Sequence, residues 1–511
     1  MSSLVQSVDW LAIAPPVIVA ATALIILVAD LFVPENRKPL LGWTAVAGLA
    51  AATLMLLPLR RGNRSTFCLT TDHRACSYTA DHFTLAIQLL VLGGALLTAL
   101  LSMSETGRDR LPAGEFWFLL LASASGAALL PASRDLATLV VALEVASLPA
   151  FALVGIKRGN RLSSEAALKF FLSSVTATAV TLLGVSFVYA ATGTLHLTRI
   201  ATAQVDPQLD TLAEAGVVLT LVGFAFKTAA APFHFWVPDT YIGAPLPIAA
   251  YLSVIGKAVG FSGLILVTVV AFPGYADIWG PAIAVLAALT MTIGNTAALR
   301  QQATRAHSAV RLLAWSSIGQ AGYLLVPIAA AGYTSDREIG STVAYALMYA
   351  VVNLGAFATV ALVARSRPGK RLSDYRGLYA TRPLTALALA FFLLCLAGLP
   401  PGIIGLFAKV TVFQSAVDAG LGWLAAVMAA NVVFALYYYL RWTAVLFRTP
   451  RATTATTPAD ATAPAPATGE TRTGPRIPAP LTLTVALAAA AGAVLSVAPQ
   501  LVLHFAAGSL F

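Results

Sequence analysis

The chain has 511 residues, of which 58% are hydrophobic and only 11% are charged. Its mean hydropathy of +0.81 excludes a soluble globular protein, because a soluble fold of this size would expose far too much apolar surface. The net charge of +10 comes from basic residues scattered between apolar runs. This pattern is typical of loops that set membrane topology and argues against a nucleic-acid-binding face.

Apolar runs of about 20 residues recur along the chain, and each can cross roughly 30 Å of hydrocarbon as a helix. The runs are continuously apolar and do not alternate, which predicts an all-α polytopic membrane protein and not a β-barrel. We predict about 14 transmembrane helices. They lie near residues 11–33, 38–58, 81–102, 115–131, 136–156, 166–191, 214–231, 247–272, 279–299, 312–332, 340–363, 384–415, 421–446 and 481–508.

Basic residues are concentrated in alternate loops. If both termini lie on the outer face, the inner loops hold about 20 Lys and Arg residues and the outer loops about seven, as the positive-inside rule expects. Residues 59–80 form an exception, because this outer loop carries four arginines. The same loop contains Cys68 and Cys76. A disulfide between them and a pair of free thiols are the two alternatives, and the disulfide requires the oxidising side of the membrane.

Ionisable residues interrupt five of the apolar runs. A charged side chain at the centre of a bilayer costs about 2.5 kcal/mol or more, so such a residue usually faces a polar path or a partner. We therefore predict a helical bundle that moves charge, with protons as the first candidate. The five residues are Glu144, Lys169, Lys227, Lys257 and Lys409.

Glu144 and Lys169 each allow two interpretations. Glu144 has no charged residue within one helical turn, so it is either the acidic partner of a lysine on another helix or a protonated acid bonded to a neighbouring helix. Lys169 follows Glu165 by four residues. An i, i+4 ion pair, with the ammonium reaching the interface, would explain this lysine without a transport role.

Two spans are interrupted by helix-breaking residues, and each interruption has a lysine beside it. Pro232 and Pro238 interrupt the seventh span after Lys227, and residues 398–402 interrupt the twelfth before Lys409. Broken, charge-bearing spans at corresponding positions of two halves indicate a transport path between inverted repeats. Because the two spans are five apart and cross in opposite directions, we assign spans 4–8 and 9–13 to two inverted five-helix repeats.

Other residues complete the predicted path. His234 lies in the first break and could titrate near neutral pH. Lys257 lies too deep in its span to reach either interface easily, which suits the centre of a path. The three tyrosines at 437–439 either line the end of the path or lie in an interfacial aromatic belt, and we expect the belt for two of them.

The chain divides into five predicted segments. A three-helix segment precedes two antiporter-like halves, and a flexible cytoplasmic linker rich in Thr, Ala and Pro precedes a last transmembrane helix. The segments are residues 1–112, 113–273, 274–447, 448–480 and 481–511.

The sequence has no metal-ligand cluster, phosphate-binding glycine loop, nucleophile triad or dinucleotide fingerprint. We therefore expect no cofactor in this chain, and energy for transport would come from an ion gradient or a partner.

Residues 223–261, GFAFKTAAAPFHFWVPDTYIGAPLPIAAYLSVIGKAVGF, resemble the signature of the antiporter-like membrane subunits of respiratory complex I. The form PDTYIGAPLP, with Tyr241 and Gly243, is similar to the subunit N family of bacterial NADH–quinone oxidoreductase, whereas the sister subunits L and M usually have a histidine-containing version. The runs LLAWSSIGQAGYLL, SDYRGLY and LAGLPPGIIGLFAK also resemble subunit N. The resemblance extends over roughly residues 80–446.

The resemblance implies a fourteen-helix proton-translocating subunit of the cytoplasmic membrane. Glu144 and Lys227 become the charge pair of the first half, Lys257 the central lysine and Lys409 the distal lysine. Lys169 and His234 also fall on family positions. NADH, FMN, iron–sulfur clusters and quinone would bind partner subunits, with subunits M, J and K as expected neighbours. Gln320 departs from the pattern, because many members have histidine there.

Two other functions stay open from the sequence. A sodium/proton antiporter subunit would use the same lysines as a gradient-driven exchanger, although the Tyr241–Gly243 form argues against it. A structural subunit with an inactive path is the second alternative, and the intact set of lysines argues against that.

Overall fold

In this computed structural model, the structure describes residues 8–70, 72–106, 111–334, 337–449, 478–507 and residue 510. Most of the predicted linker 448–480 lies outside the described residues. The described helices and strands follow in chain order. They are α1 (Trp10–Asp30), α2 (Pro39–Leu54), α3 (Leu56–Leu59), β1 (Arg64–Leu69), β2 (Asp72–Ala80), α4 (His82–Thr106), α5 (Ala113–Leu129), α6 (Leu136–Gly155), α7 (Arg161–Thr192), α8 (Leu197–Ala201), α9 (Asp210–Thr228), α10 (Trp236–Gly243), α11 (Leu246–Tyr251), α12 (Lys257–Ile265), α13 (Ala276–Leu299), α14 (Ser308–Ala330), α15 (Arg337–Ala364), α16 (Leu378–Thr381), α17 (Pro383–Ala397), α18 (Ile404–Asp418), α19 (Gly422–Phe447), α20 (Ala479–Val497) and α21 (Gln500–Ala507).

The helices have the number and length that a polytopic membrane protein requires. Within the described ranges, 13 helices are long and apolar enough to cross a membrane. The remaining predicted span, near residues 384–415, consists of the two shorter helices α17 and α18. The eighth span is continuous, but π-helical turns at Leu252–Gly256 and Leu266–Ala271 flank α12. Such turns often mark functional positions within a helix.

Helices α14 and α15 form the centre of the bundle. Their apolar windows are 94% and 89% buried, whereas those of α2, α19 and α20 are each 33% buried. A helix whose whole circumference is enclosed can hold polar side chains away from lipid, so α14 and α15 are suited to carry an internal polar network.

A small antiparallel hairpin, β1–β2, occupies the predicted loop 59–80. Its two cysteines are paired across the strands, and Cys68 is joined to Cys76 by a disulfide. The sequence did not predict these strands. Arg64 of the hairpin forms an ion pair with Asp9 at 2.9 Å, which ties β1 to the start of α1.

Candidate functional site

The first helix break separates α9 from α10. Helix α9 ends at Thr228, Ala229 has a left-handed φ of 65°, and the Ala231–Pro232 peptide bond is cis. The backbone N–H of Ala231 donates to Thr290 Oγ1 at 2.8 Å, and the indole N–H of Trp236 donates to the Phe226 carbonyl at 3.1 Å. Side chains therefore satisfy backbone groups at the break, as irregular backbone at membrane depth requires.

The second break separates α17 from α18. Helix α17 ends at Ala397, and Gly398 follows with φ +86°, a conformation that glycine adopts without a steric penalty. The Pro400–Pro401 peptide bond is cis, and α18 starts at Ile404. Both breaks thus lie where the proline pattern predicted them.

Lys227 is buried in the last turn of α9 and is surrounded by aromatic rings. Its Nζ lies 5.0 Å from the ring centroid of Phe170, 5.1 Å from that of Phe151 and 5.8 Å from that of Phe226. These distances are in the cation–π range.

Glu144 lies in α6 and is half-buried. Its Oε1 accepts a hydrogen bond of 2.6 Å from Thr178 Oγ1 of α7. Glu144 is the carboxylate that interacts electrostatically with Lys227, but no described carboxylate oxygen lies within the 4.0 Å ion-pair distance of the Lys227 ammonium. The predicted pair is therefore open in this structure.

Lys257 is 2% exposed and lies directly after a π-helical turn. Its Nζ donates to the Thr228 carbonyl at 3.3 Å, at the C-terminus of α9. The carbonyls at a helix C-terminus carry partial negative charge, so they attract an ammonium. Lys257 thereby contacts the residue that follows Lys227 in the chain. The half-buried His234 interacts electrostatically with Lys257.

Lys409 repeats this arrangement at the second break. Its Nζ donates to the carbonyls of Ala397 at 2.8 Å and Leu396 at 3.0 Å, at the C-terminus of α17. It also lies 5.9 Å from the ring centroid of Tyr323. Each broken helix therefore presents its C-terminal carbonyls to a buried lysine.

Lys169 lies apart from the buried lysines, on the surface of the chain. It forms the predicted ion pair with Glu165 at 2.7 Å and a second with Asp239 at 2.9 Å, and about half of each side chain is exposed. The Asp239 contact was not predicted, because it joins two helices that are distant in sequence.

A polar network that joins α13, α14, α15 and α19 was missed by the sequence reasoning. Tyr345 O–H donates to Gln320 Oε1, and Gln320 Nε2 donates to Tyr439 O at 3.3 Å. Tyr439 also bonds to Ser316. Next to these, Tyr438 O–H donates to Asn295 Oδ1 at 3.0 Å.

The expectation that two of the three tyrosines at 437–439 lie in an interfacial belt is contradicted, because two of them are buried. Tyr438 and Tyr439 are 3% and 0% exposed and belong to the network, and only Tyr437, at 61%, faces outward. A signal for the network was present in α15, where Tyr345, Tyr349 and Asn353 recur every four residues and so share one helix face.

Residues 133–435 match the family model described as "NADH:quinone oxidoreductase/Mrp antiporter, TM". The NADH-quinone oxidoreductase subunit N 2 of Streptomyces griseus subsp. griseus is 76% identical over 511 residues, covering 100% of this chain and 95% of that relative. Subunit N of Salinispora tropica is 44% identical, covering 89% of this chain and 88% of the relative.

The chain belongs to the subunit N family of NADH–quinone oxidoreductase. It is thus a subunit of an enzyme complex, and the resemblance inferred from the sequence is confirmed.

Solved structures agree with the subunit N family. A chain of respiratory complex I from Thermus thermophilus with bound aureothin superposes with a TM-score of 0.76 at 31% identity, covering 97% of this chain and 100% of that one. A chain of the Mrp complex from Dietzia sp. DQ12-45-1b gives a TM-score of 0.79 at 21% identity, covering 97% and 96%, and shows the shared fold alone.

Proposed function

We propose that this subunit translocates protons along Glu144, Lys227, Lys257 and Lys409, coupled to quinone reduction elsewhere in the complex. The observation that carries the proposal is the burial of three lysines, each without a described carboxylate within 4.0 Å. Two of them are held by the C-terminal carbonyls of broken helices. A buried amine that lacks a permanent counter-ion can exchange its proton when its surroundings change.

The open Glu144–Lys227 pair supplies a switch. Closing it, directly or through water, would fix the positive charge on Lys227. Lys257 bonds to the Thr228 carbonyl, next to Lys227, so repulsion between the two ammonium groups would then favour release of the Lys257 proton toward Lys409. Opening the pair would allow Lys257 to be protonated again. His234, which interacts with Lys257, is a candidate for that step.

In this proposal the redox chemistry takes place in partner subunits, and this chain supplies only the membrane path. NADH, FMN, iron–sulfur clusters and quinone bind partner subunits, and subunits M, J and K are the proposed neighbours. Spans 4–8 and 9–13 act as two inverted halves of one path in a bacterial cytoplasmic membrane, with both termini on the outer face. The 76% identical relative is named as subunit N of the oxidoreductase, which favours this function over a gradient-driven antiporter.

Removal of either member of the switch tests the proposal. We expect Glu144→Ala and Lys227→Ala each to lower coupled quinone reduction and proton uptake about tenfold, because either change prevents the pair from closing; a tenfold loss corresponds to roughly 1.4 kcal/mol. Both rates are measured on membrane vesicles that contain the assembled complex. Lys157→Ala, which removes the same side chain from the segment between α6 and α7, is the matched control. Near-normal pumping in both variants would remove the pair from the mechanism.

A further inference from the structure

A large cavity lies where helices α1, α2, α4 and α5 begin or end on one side of the bundle. Its lining includes Asp30, Pro39, Thr106 and Ala113, each at a terminus of one of these helices. The cavity volume is ≈ 700 Å³, within the roughly 300–1,000 Å³ range of small-molecule sites. The ionisable residues of the proposed proton path are not among those that line it. The cavity is therefore a separate candidate site.

Charged side chains of both signs line the cavity. Lys38 Nζ lies 2.8 Å from a Glu35 oxygen and 3.6 Å from an Asp30 oxygen, so these three residues together carry a net charge of −1. Glu115 and Arg158 also line the cavity, yet neither forms an ion pair within 4.0 Å with any described residue. The cavity thus keeps an unpaired carboxylate apart from an unpaired guanidinium.

Asp30 offers a hydrogen-bond acceptor at this cavity. A side chain at Gly114 would overlap the Asp30 carboxylate, so this carboxylate lies directly on the first turn of α5. Asp30 Oδ1 is buried and accepts no hydrogen bond from the described residues. A buried acceptor without a donor costs free energy, so an N–H group of a ligand would be stabilised there.

Exposed apolar side chains adjoin the charged lining. Leu31 and Phe32, which follow Asp30 in the chain, are each 80% exposed. Leu40 and Trp43 in the first turns of α2 are 56% and 49% exposed. Exposed apolar side chains and a tryptophan near helix ends are typical of the boundary between membrane and water. The charges of the cavity therefore lie at the level of lipid headgroups.

We propose that the cavity binds the headgroup of a phospholipid that carries both a phosphate and a primary ammonium, as phosphatidylethanolamine does. The ammonium donates to the carboxylates of Asp30 and Glu115, and the phosphate accepts from the Arg158 guanidinium. The acyl chains lie along Leu31 and Trp43. A trimethylammonium headgroup has no N–H for Asp30, and a headgroup with only a negative charge leaves both carboxylates without a cation.

The test counts the lipids that stay bound to the whole complex. The complex is placed in nanodiscs of equal phosphatidylethanolamine, phosphatidylcholine and phosphatidylglycerol and extracted with detergent, and its remaining lipids are measured by mass spectrometry. Glu115→Gln and Arg158→Gln should each weaken retention of one phosphatidylethanolamine roughly tenfold or more, the factor for one lost charge-assisted hydrogen bond. Arg158→Lys keeps the cation and should retain this lipid.

Matched controls make the same changes at exposed residues outside the cavity. Glu214→Gln in α9 and Arg305→Gln between α13 and α14 should retain the lipid as the wild type does. Wild-type retention in both Glu115→Gln and Arg158→Gln would overturn the site.

The lipid selectivity of the wild-type complex is a second test that needs no variant. Equal retention of phosphatidylcholine would refute the ammonium contacts, and equal retention of phosphatidylglycerol would refute the pairing of both charges. Free phosphoethanolamine should displace the bound lipid far less well than phosphatidylethanolamine does, because it lacks acyl chains. Equal displacement by the two would overturn the lipid as the occupant. None of these measurements depends on proton uptake, so failure of the lysine path would leave this inference standing.

Discussion

The buried lysines differ from the exposed one in their contacts. Lys257 and Lys409 bond to neutral backbone carbonyls, and Lys227 faces aromatic rings. None of these groups binds an ammonium as firmly as a carboxylate does, so each lysine can lose its proton at moderate cost. Lys169 contacts two carboxylates and has a strong reason to stay charged.

Lys169 stays a predicted path residue, but its exposure predicts a smaller loss of proton uptake on substitution than at the buried Lys227. We expect Lys169→Ala to reduce proton uptake by no more than about twofold, because exposed ion pairs are worth only about 0–1 kcal/mol. Proton uptake of vesicles, compared with that of Lys227→Ala in the same preparation, checks this. An equal loss in the two variants would show that the exposed lysine is as important as the buried one.

For individual residues, the sequence predicted the location of charged side chains better than that of uncharged ones. A lysine within an apolar run is visible because its insertion cost is large, and the burial of Lys227, Lys257 and Lys409 was expected. Their carbonyl partners were not predictable, because every residue carries a carbonyl. Tyr438 and Tyr439 were misplaced because tyrosine suits both an interfacial belt and a buried hydrogen bond.

The elements that carry the site are the two broken helices. Prolines and Gly398 marked both breaks in the sequence, since proline lacks an N–H and glycine accepts a left-handed conformation. The geometry around each break was not predictable. It depends on contacts from other helices, such as the bond from Ala231 N–H to Thr290.

The β1–β2 hairpin allows a test of membrane orientation. The disulfide between Cys68 and Cys76, together with the proposed outer location, predicts that a thiol reagent labels these cysteines only after reduction. Labelling of intact cells with a membrane-impermeant maleimide, followed by mass spectrometry, measures this. Cys395 is buried and should stay unlabelled in the folded protein, which provides an internal control. Labelling of Cys68 and Cys76 without reductant would refute the bond.

In the whole molecule, one helical bundle contains all four lysines of the predicted path. The helix count and the broken spans were predictable from hydropathy and proline placement, and the match to a complex I chain agrees with them. The central network around Gln320 was not predictable, because it joins α13, α14, α15 and α19, which come together only in the folded bundle.

The most direct test of the lysine path keeps the positive charge at residue 257 but prevents release of the proton. Arginine remains protonated in proteins, so Lys257→Arg preserves a cation at the α9 terminus that cannot give up its proton. We expect proton uptake coupled to NADH oxidation to fall at least about tenfold in vesicles that contain the assembled complex. Lys157→Arg, the same change outside the spans, should pump normally. Normal pumping by Lys257→Arg would contradict a route in which Lys257 carries the proton.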